Sequence, residues 1–315
     1  NIPNTSGFAK AYMNIGSIEN RGLEFSLNTL NIKTRNFMWE TSFNISFNRN
    51  KILSLADGEE SRFSNLSFYN SRISNSPMYI AKIGGPAAMF YGLVWDGNYQ
   101  YEDFDLVNGV YVLKENITTN GDPRNTIQPG DIKYKDLNED RVVDDNDKTV
   151  IGDPMPKHTG GFSNVFTYKG LSLNVFFQWS YGGDLMNANR YVFEGNPLKT
   201  KMINQFASYN DRWTPENPTD KMYRTGGEGP LAMSSRTIED GSYLRLKTLA
   251  LSYTLPKKFT RKFGADRIVL NASAQNLFTW TKYSGMDPEV SVNNSVLTPG
   301  FDFSAYPHSR RFMFG

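Results

Sequence analysis

Between positions 136 and 147 the chain reads Asp136-Leu137-Asn138-Glu139-Asp140-Arg141-Val142-Val143-Asp144-Asp145-Asn146-Asp147. Oxygen side chains fall at positions 1, 3, 5, 9 and 12 of that run, and Val142 at position 7 offers its carbonyl. Calcium asks for roughly six to eight hard oxygen ligands wrapped round one ion, and this spacing supplies them. Asp136, Asn138, Asp140, Val142, Asp144 and Asp147 are therefore the candidate metal ligands, and calcium is the one cofactor indicated. Two positions depart from the usual calcium loop. Position 6, ordinarily a glycine, is Arg141, where a left-handed backbone costs about 1–3 kcal/mol. Position 12 is Asp147 rather than the longer Glu. The alternative is an ion-free surface turn, because Asp and Asn favour turns unaided.

No other constellation points to catalysis. The chain has no G-x-S-x-G, P-loop, G-x-G-x-x-G or H-E-x-x-H motif. Its two histidines, His158 and His308, stand far apart beside turn-forming residues. With no cysteine, disulfides, thiolate zinc sites and cysteine nucleophiles are excluded. With 34 basic against 32 acidic residues, phosphate neutralisation has little to work with, so no nucleic-acid partner is expected. The basic run Lys257, Lys258, Arg261, Lys262 and Arg267 reads as a solvated turn at lipid headgroups. An enzyme is not expected.

The elements that carry these residues show themselves by period. In 171–181, Leu171, Leu173, Val175, Phe177, Trp179 and Tyr181 alternate with Ser172, Asn174, Phe176, Gln178 and Ser180. In 37–48, Phe37, Trp39, Thr41, Phe43, Ile45 and Phe47 alternate with Met38, Glu40, Ser42, Asn44, Ser46 and Asn48. A helical period would mix the two sets, so these are strands with one oily and one wet face. Leu23, Phe25 and Leu27 start a third, and Leu249, Leu251 and Tyr253 a fourth. In the fourth the parity slips at Leu244 and Leu246, and a β-bulge near Lys247-Thr248 would restore a single face.

Such strands suit a soluble sandwich, with the oily face on a second sheet, or an outer-membrane barrel, with the oily face on lipid. Membrane helices need about 20 apolar residues, and the longest charge-free runs, 170–183 and 268–281, are shorter and polar in part. Strand length favours the barrel, since crossing needs about 9–11 residues while globular strands average about 5–6. Trp39, Trp179, Tyr181, Tyr253 and Trp280 lie near segment ends, where aromatic girdles belong. The expected strands are 16–30, 37–50, 78–83, 87–100, 161–168, 171–181, 242–255, 267–280 and 309–315. Their connections alternate between short turns and long loops, as in barrels with periplasmic turns and extracellular loops. Nine strands is an odd count and no signal peptide leads the chain, so a piece of a larger barrel is expected, with residues 1–15 entering from the long-loop side.

Several stretches then resemble the C-terminal barrel portion of SusC/RagA-type TonB-dependent outer-membrane transporters of the Bacteroidota. They are Asn14-Ile15-Gly16-Ser17-Ile18-Glu19-Asn20-Arg21-Gly22-Leu23-Glu24, Pro129-Gly130-Asp131-Ile132-Lys133-Tyr134-Lys135-Asp136 and Ile151-Gly152-Asp153-Pro154. With them go Asp211-Arg212-Trp213-Thr214-Pro215-Glu216-Asn217-Pro218 and Ser242-Tyr243-Leu244-Arg245-Leu246-Lys247 with Tyr253-Thr254-Leu255-Pro256. Gln275-Asn276-Leu277-Phe278 and Tyr283-Ser284-Gly285-Met286-Asp287-Pro288-Glu289 complete the set.

The resemblance implies an all-β fold: a transmembrane antiparallel β-barrel of 22 strands, of which residues 1–315 would be about the last nine. The plug and earlier strands would lie outside this chain. It further implies active import of an oligosaccharide or oligopeptide, a SusD-like surface lipoprotein as lid, and TonB as the energy source. Long loops would face the exterior, and Glu40, Asn44, Asn174 and Gln178 would line the path. Rim aromatics and arginines suit sugar rings and peptide carboxylates, which makes Tyr209, Arg212 and Trp213 the substrate-binding candidates. A structural anchor is the other reading of Arg212-Trp213. A siderophore receptor, or a soluble calcium-containing β-sandwich binding module, are the competing functions.

Overall fold

The computed structural model describes residues 16–66, 77–195, 204–230, 232–292 and 295–315. Seven strands form one sheet in chain order: β1 (Gly16–Lys33), β2 (Phe37–Leu55), β3 (His158–Tyr168), β4 (Leu171–Tyr181), β5 (Tyr243–Thr254), β6 (Val269–Thr281) and β7 (Arg311–Phe314). Every neighbouring pair is antiparallel. Residues 34–36, 169–170 and 255–268 make the short connections at one end, and 56–157, 182–242 and 282–310 the long ones at the other. The expected alternation is therefore present, and the sheet is a barrel wall. The entry of residues 1–15 lies outside the described residues.

Register puts the alternating residues where lipid would need them. Phe43, Phe162, Phe177, Leu246 and Phe278 stand in one row across five strands. Leu23, Phe25, Phe278, Trp280 and Phe312 on that face are each more than half exposed, and no second sheet covers them among the described residues. That arrangement rules out the sandwich reading. Polar residues also stand on this face, among them Thr41 and its neighbour Asn164. Asn164 Oδ1 accepts from Trp39 Nε1 at 2.9 Å and Thr41 Oγ1 at 2.8 Å, so neither is left to hydrocarbon. The expected bulge also occurs, because β4 pairs with Thr248 and Leu246 and skips Lys247.

Two of the nine expected strands do not belong to the wall. Residues 79–82 and 89–92 sit in a separate sheet with 61–64 and 149–152, and 95–98 pairs with 132–134. The sequence carried the reason. Tyr79, Ile80 and Ala81 are consecutive apolar residues, all buried, a pattern of strands covered on both faces. Four-residue strands also fall well short of the span that a membrane demands. Among the described residues the long connections thus number three, and the wall strands seven.

Those connections fold together into a roof. Leu66, Met78, Tyr79 and Phe90 from the first, Met186, Tyr191 and Met233 from the second, and Phe301 from the third share one buried cluster. Two further clusters, round Ile132 and Tyr223 and round Tyr99 and Leu113, also lie in the roof. An ionic layer adds to it: Glu194 contacts Arg236 at 2.5 Å and Arg190 at 3.0 Å, and Arg190 reaches Glu239 at 3.3 Å. Burial raises the Glu194 pKa, but the two guanidinium groups outweigh it and hold the carboxyl below its ordinary value.

Arg245, on the wet face of β5 and nearly fully buried, clamps this roof to the wall. Its guanidinium bonds Asp287, Glu289 at 2.7 Å and Thr279 Oγ1 at 3.0 Å. Burial pushes Asp287 up, but the amides of His308 and Glu289, the His308 ring and Arg245 together hold it at about 2. A carboxylate depressed in the folded state stabilises above its ordinary pKa and loses that contribution as pH falls through the folded value. The clamp should therefore hold at neutral pH and release between about pH 4 and 2, at a loss of about 2 kcal/mol. Replacing Arg245 with alanine strands a buried carboxylate, typically costing about 3–5 kcal/mol. Hydrogen exchange in 283–292 of the full-length protein should then accelerate about a hundredfold. Unchanged exchange would show that the clamp does not hold the roof.

Candidate functional site

Roof and wall border an open cavity of about 800 Å³. Asn44, Thr159, Gln178, Ser180 and Tyr243 line it from the wall, and Asp184, Glu289 and Ser291 from the roof. All five wall residues are on the wet parity or its continuation, so the same alternation that builds the oily skin supplies amides and hydroxyls inside. Of the residues expected along the path, Asn44 and Gln178 line this cavity. Glu40 and Asn174 share their face farther toward the short turns, opposite Val165, and Asn174 Oδ1 accepts from Ser163 Oγ at 3.1 Å.

Phe176 also lines the cavity, and sequence reasoning passed it over, although it stood out as an aromatic on the wet parity. Gly160-Gly161 makes room for it. A Cβ on Gly161 would come within 2.9 Å of the Phe176 ring, and one on Gly160 within 2.2 Å of the Trp179 ring. Two rings from β4 therefore lie across β3, one on each face of the wall. Tyr243, Arg245 and Glu289 were likewise not singled out, because their roles depend on a roof segment that returns more than 40 residues later.

The acidic loop winds through a series of side-chain-to-amide turns. Asp136 accepts the amides of Glu139 and Arg141, both at 2.7 Å, Asn138 accepts that of Asp140, and Asp140 that of Val142 at 2.8 Å. Glu139 and Arg141 are both left-handed, with φ of 63° and 70°, so the strain expected at position 6 is present. The two short bonds to Asp136 offset it. Asp144 and Asp147 serve differently. Asp144 caps the 3₁₀ turn Asp145–Asp147, while fully buried Asp147 accepts from Leu137 and Asp144 and closes the loop end to end. Asp136 Oδ1, Asn138 Oδ1 and both Asp140 oxygens each keep a second lone pair, while Asp136 Oδ2 also accepts from Thr118 Oγ1 at 3.3 Å, and a donor set of hard oxygens fits calcium rather than a thiophilic metal. As the side chains stand, no three His, Asp or Glu groups among the described residues converge into a cage.

Tyr209, Arg212 and Trp213 come together on the roof. The Arg212 guanidinium lies 4.4 Å from the Tyr209 ring centre, and Tyr209 Oη shares a 2.6 Å hydrogen bond with Thr225. Trp213 is only 5% exposed, and its Nε1 donates to Gln100 Oε1 at 3.0 Å. Gly130, at φ 87°, passes so close that a Cβ there would meet the indole at 2.5 Å. Two of the sequence stretches quoted above, around Gly130 and around Trp213, are thus one packing unit in space. Trp213 anchors that unit and, with Arg212, Tyr101 and Tyr111, also borders a shallow cleft of about 430 Å³ that is open to a ligand.

No family model matches the chain. TonB-dependent receptor P3 of Formosa agariphila is 34% identical over the whole chain, which spans 30% of that relative. TonB-dependent receptor SusC of Bacteroides thetaiotaomicron is 28% identical, again over the whole chain and 28% of the relative. Among solved structures, the RagAB peptide transporter superposes with a TM-score of 0.73 at 24% identity, over 99% of this chain and 30% of its own. The RagAB importer in its open-open state gives 0.67 at 25% identity, over 99% of this chain and 30% of its own. The chain therefore spans about 30% of the length of the proteins it matches. A wall of seven strands is about a third of a 22-stranded transporter barrel, in keeping with that share. Whole-chain likeness, alternating strands and roofed wall together make this chain part of the barrel of a SusC/RagA-type TonB-dependent receptor, in the outer membrane.

Proposed function

We propose that the protein containing this chain actively imports an oligosaccharide or oligopeptide across the outer membrane. TonB supplies the energy from the periplasmic side, and a SusD-like surface lipoprotein closes the long-loop end, which faces the exterior. The observation that carries this reading is the roofed cavity. A packed layer of loops, with its own buried cores, stands over a lining of amides, hydroxyls and the inward aromatic rings of Phe176 and Tyr243. Such groups hydrogen-bond the hydroxyls of a glycan or the amides of a peptide and stack on sugar rings. The Arg212–Tyr101–Tyr111 cleft supplies a second contact at the rim.

For the acidic loop we propose calcium, held by the oxygens of Asp136, Asn138 and Asp140 and the Val142 carbonyl, with Asp144 and Asp147 closing the turn. The hard-oxygen donor set and the left-handed winding at Glu139 and Arg141 support it. Bound there, the ion would stiffen the roof segment between 119 and 147.

Cells carrying the full-length protein should take up labelled maltodextrin or mixed-peptide oligomers only with functional TonB, and a surface lipoprotein should co-purify with it. TonB-independent uptake, or uptake of a ferric chelate with no lipoprotein attached, would contradict the import reading. For the loop, calorimetric titration of calcium should give a saturating heat that an Asp136→Ala, Asp140→Ala variant loses. Equal heats from both proteins would remove calcium from it.

A further inference from the structure

The three short connections are unequal. Residues 34–36 and 169–170 are minimal, whereas 255–268 is several times longer. A two-residue turn suffices to join antiparallel neighbours, so joining β5 to β6 does not require the rest. The extra chain is ordered. Its backbone is helical from Lys257 to Phe263 and stops at Gly264, whose φ of 66° lets its amide return to the Arg261 carbonyl at 3.1 Å.

The whole chain is nearly balanced, with 34 basic against 32 acidic residues. This one connection nevertheless holds Lys257, Lys258, Arg261, Lys262 and Arg267 against Asp266 alone. All five cations are exposed, and among the described residues none is in an ion pair or a side-chain hydrogen bond. Their spacing works against the turn. Lys257 and Arg261, and likewise Lys258 and Lys262, stand four residues apart on the helical stretch, where like charges repel. An anion held among them relieves both pairs. The remaining positions are partitioned too. At about 100° per residue, Thr260, which is buried, points toward the protein, and the four cations share the arc away from it. Phe259 and Phe263 stand together on a third side, 53% and 78% exposed.

Depth selects the anion. Tyr253 and Leu270 are the last outward pair of the β5–β6 ladder, and the Leu255 amide bonds the Ile268 carbonyl at 3.0 Å just beyond. Lys257 and Arg267 follow within two residues, about 7 Å of chain, which is the thickness of a headgroup layer. Cations on one arc and bare aromatic rings on another are the make-up of a segment lying in a membrane interface.

We propose that the connection 255–268 is a discrete site for an anionic phospholipid of the periplasmic leaflet. Lys257, Lys258, Arg261 and Lys262 hold its phosphate, and Phe259 and Phe263 enter among its acyl chains. The inference rests on the proposed orientation, in which the short connections face the periplasm. It differs from general headgroup attraction, because the other two short connections also carry an exposed cation each, Arg35 and Lys169, without a folded turn to present it.

The test is native mass spectrometry of the full-length protein in detergent micelles supplied with equal phosphatidylglycerol and phosphatidylethanolamine. The unaltered protein should retain phosphatidylglycerol in preference. An Arg261→Glu, Lys262→Glu variant, whose new carboxylates face Lys257 and Lys258 and so keep the turn folded, should retain about thirtyfold less. An Arg35→Glu, Lys169→Glu variant makes the same change of charge at the other two short connections and should retain as much as the unaltered protein. Equal loss from both variants, or no loss from the first, would overturn the site. Millimolar inorganic phosphate should not displace the lipid, and displacement would overturn the lipid as occupant. Orientation is read separately with Asp266→Cys and a membrane-impermeant maleimide on cells. Labelling above that of the unaltered protein should need an opened outer membrane. Labelling of intact cells would overturn the orientation and the site together, whereas lost lipid preference with protected Asp266→Cys would overturn the site alone.

Discussion

Hydrocarbon accepts no hydrogen bond, and the rest of the molecule follows from that. A wall in lipid must satisfy its own backbone, so it is made of long antiparallel strands paired along their length, with only local bulges. It must also show apolar side chains outward, which denies it an ordinary core. The buried apolar clusters accordingly sit in the connections at one end, built from Tyr79, Phe90, Tyr191 and their neighbours. Where a polar residue does stand on the oily face, as Asn164 does, it is paired with Trp39 and Thr41.

This division creates a second problem, since a core in the loops has no hydrophobic hold on the sheet beneath it. Ionic and hydrogen-bonded contacts do that work. Arg245 reaches from the wall to Asp287 and Glu289, and Glu239 ties two long connections through Ser284 and Asn187. Both are buried enough that breaking one partner costs more than the pair contributes.

Much of this was legible in the amino-acid order. Parity alone put Phe43, Phe177 and Leu251 on one face and Asn44 and Gln178 on the other, and the slip at Leu246 located the bulge. Residues 78–83 and 87–100 misled because they form strands of only four residues that turn away from the wall. Tyr79-Ile80-Ala81 has no wet face, and four residues cannot cross a bilayer. Arg245 and its partners were not legible at all, since nothing local says that Asp287 will fold back on β5. Trp213 showed the limit of residue type as a guide. An aromatic beside an arginine suits a ligand, and residue type did not say that the indole would also be packed on Gly130.

The central claim is that one set of alternate residues meets lipid and the other meets water. Because this chain holds no cysteine, single cysteines along β4 can read it directly in the full-length protein reconstituted into bilayers. Fluorophores at Leu173, Val175 and Phe177 should be quenched by brominated lipid tails. Cysteines at Asn174 and Gln178 should react with a water-soluble maleimide and escape that quenching. A two-residue period in both signals is the predicted result. Equal quenching at both parities, or water access along the Leu173–Phe177 face, would contradict the account.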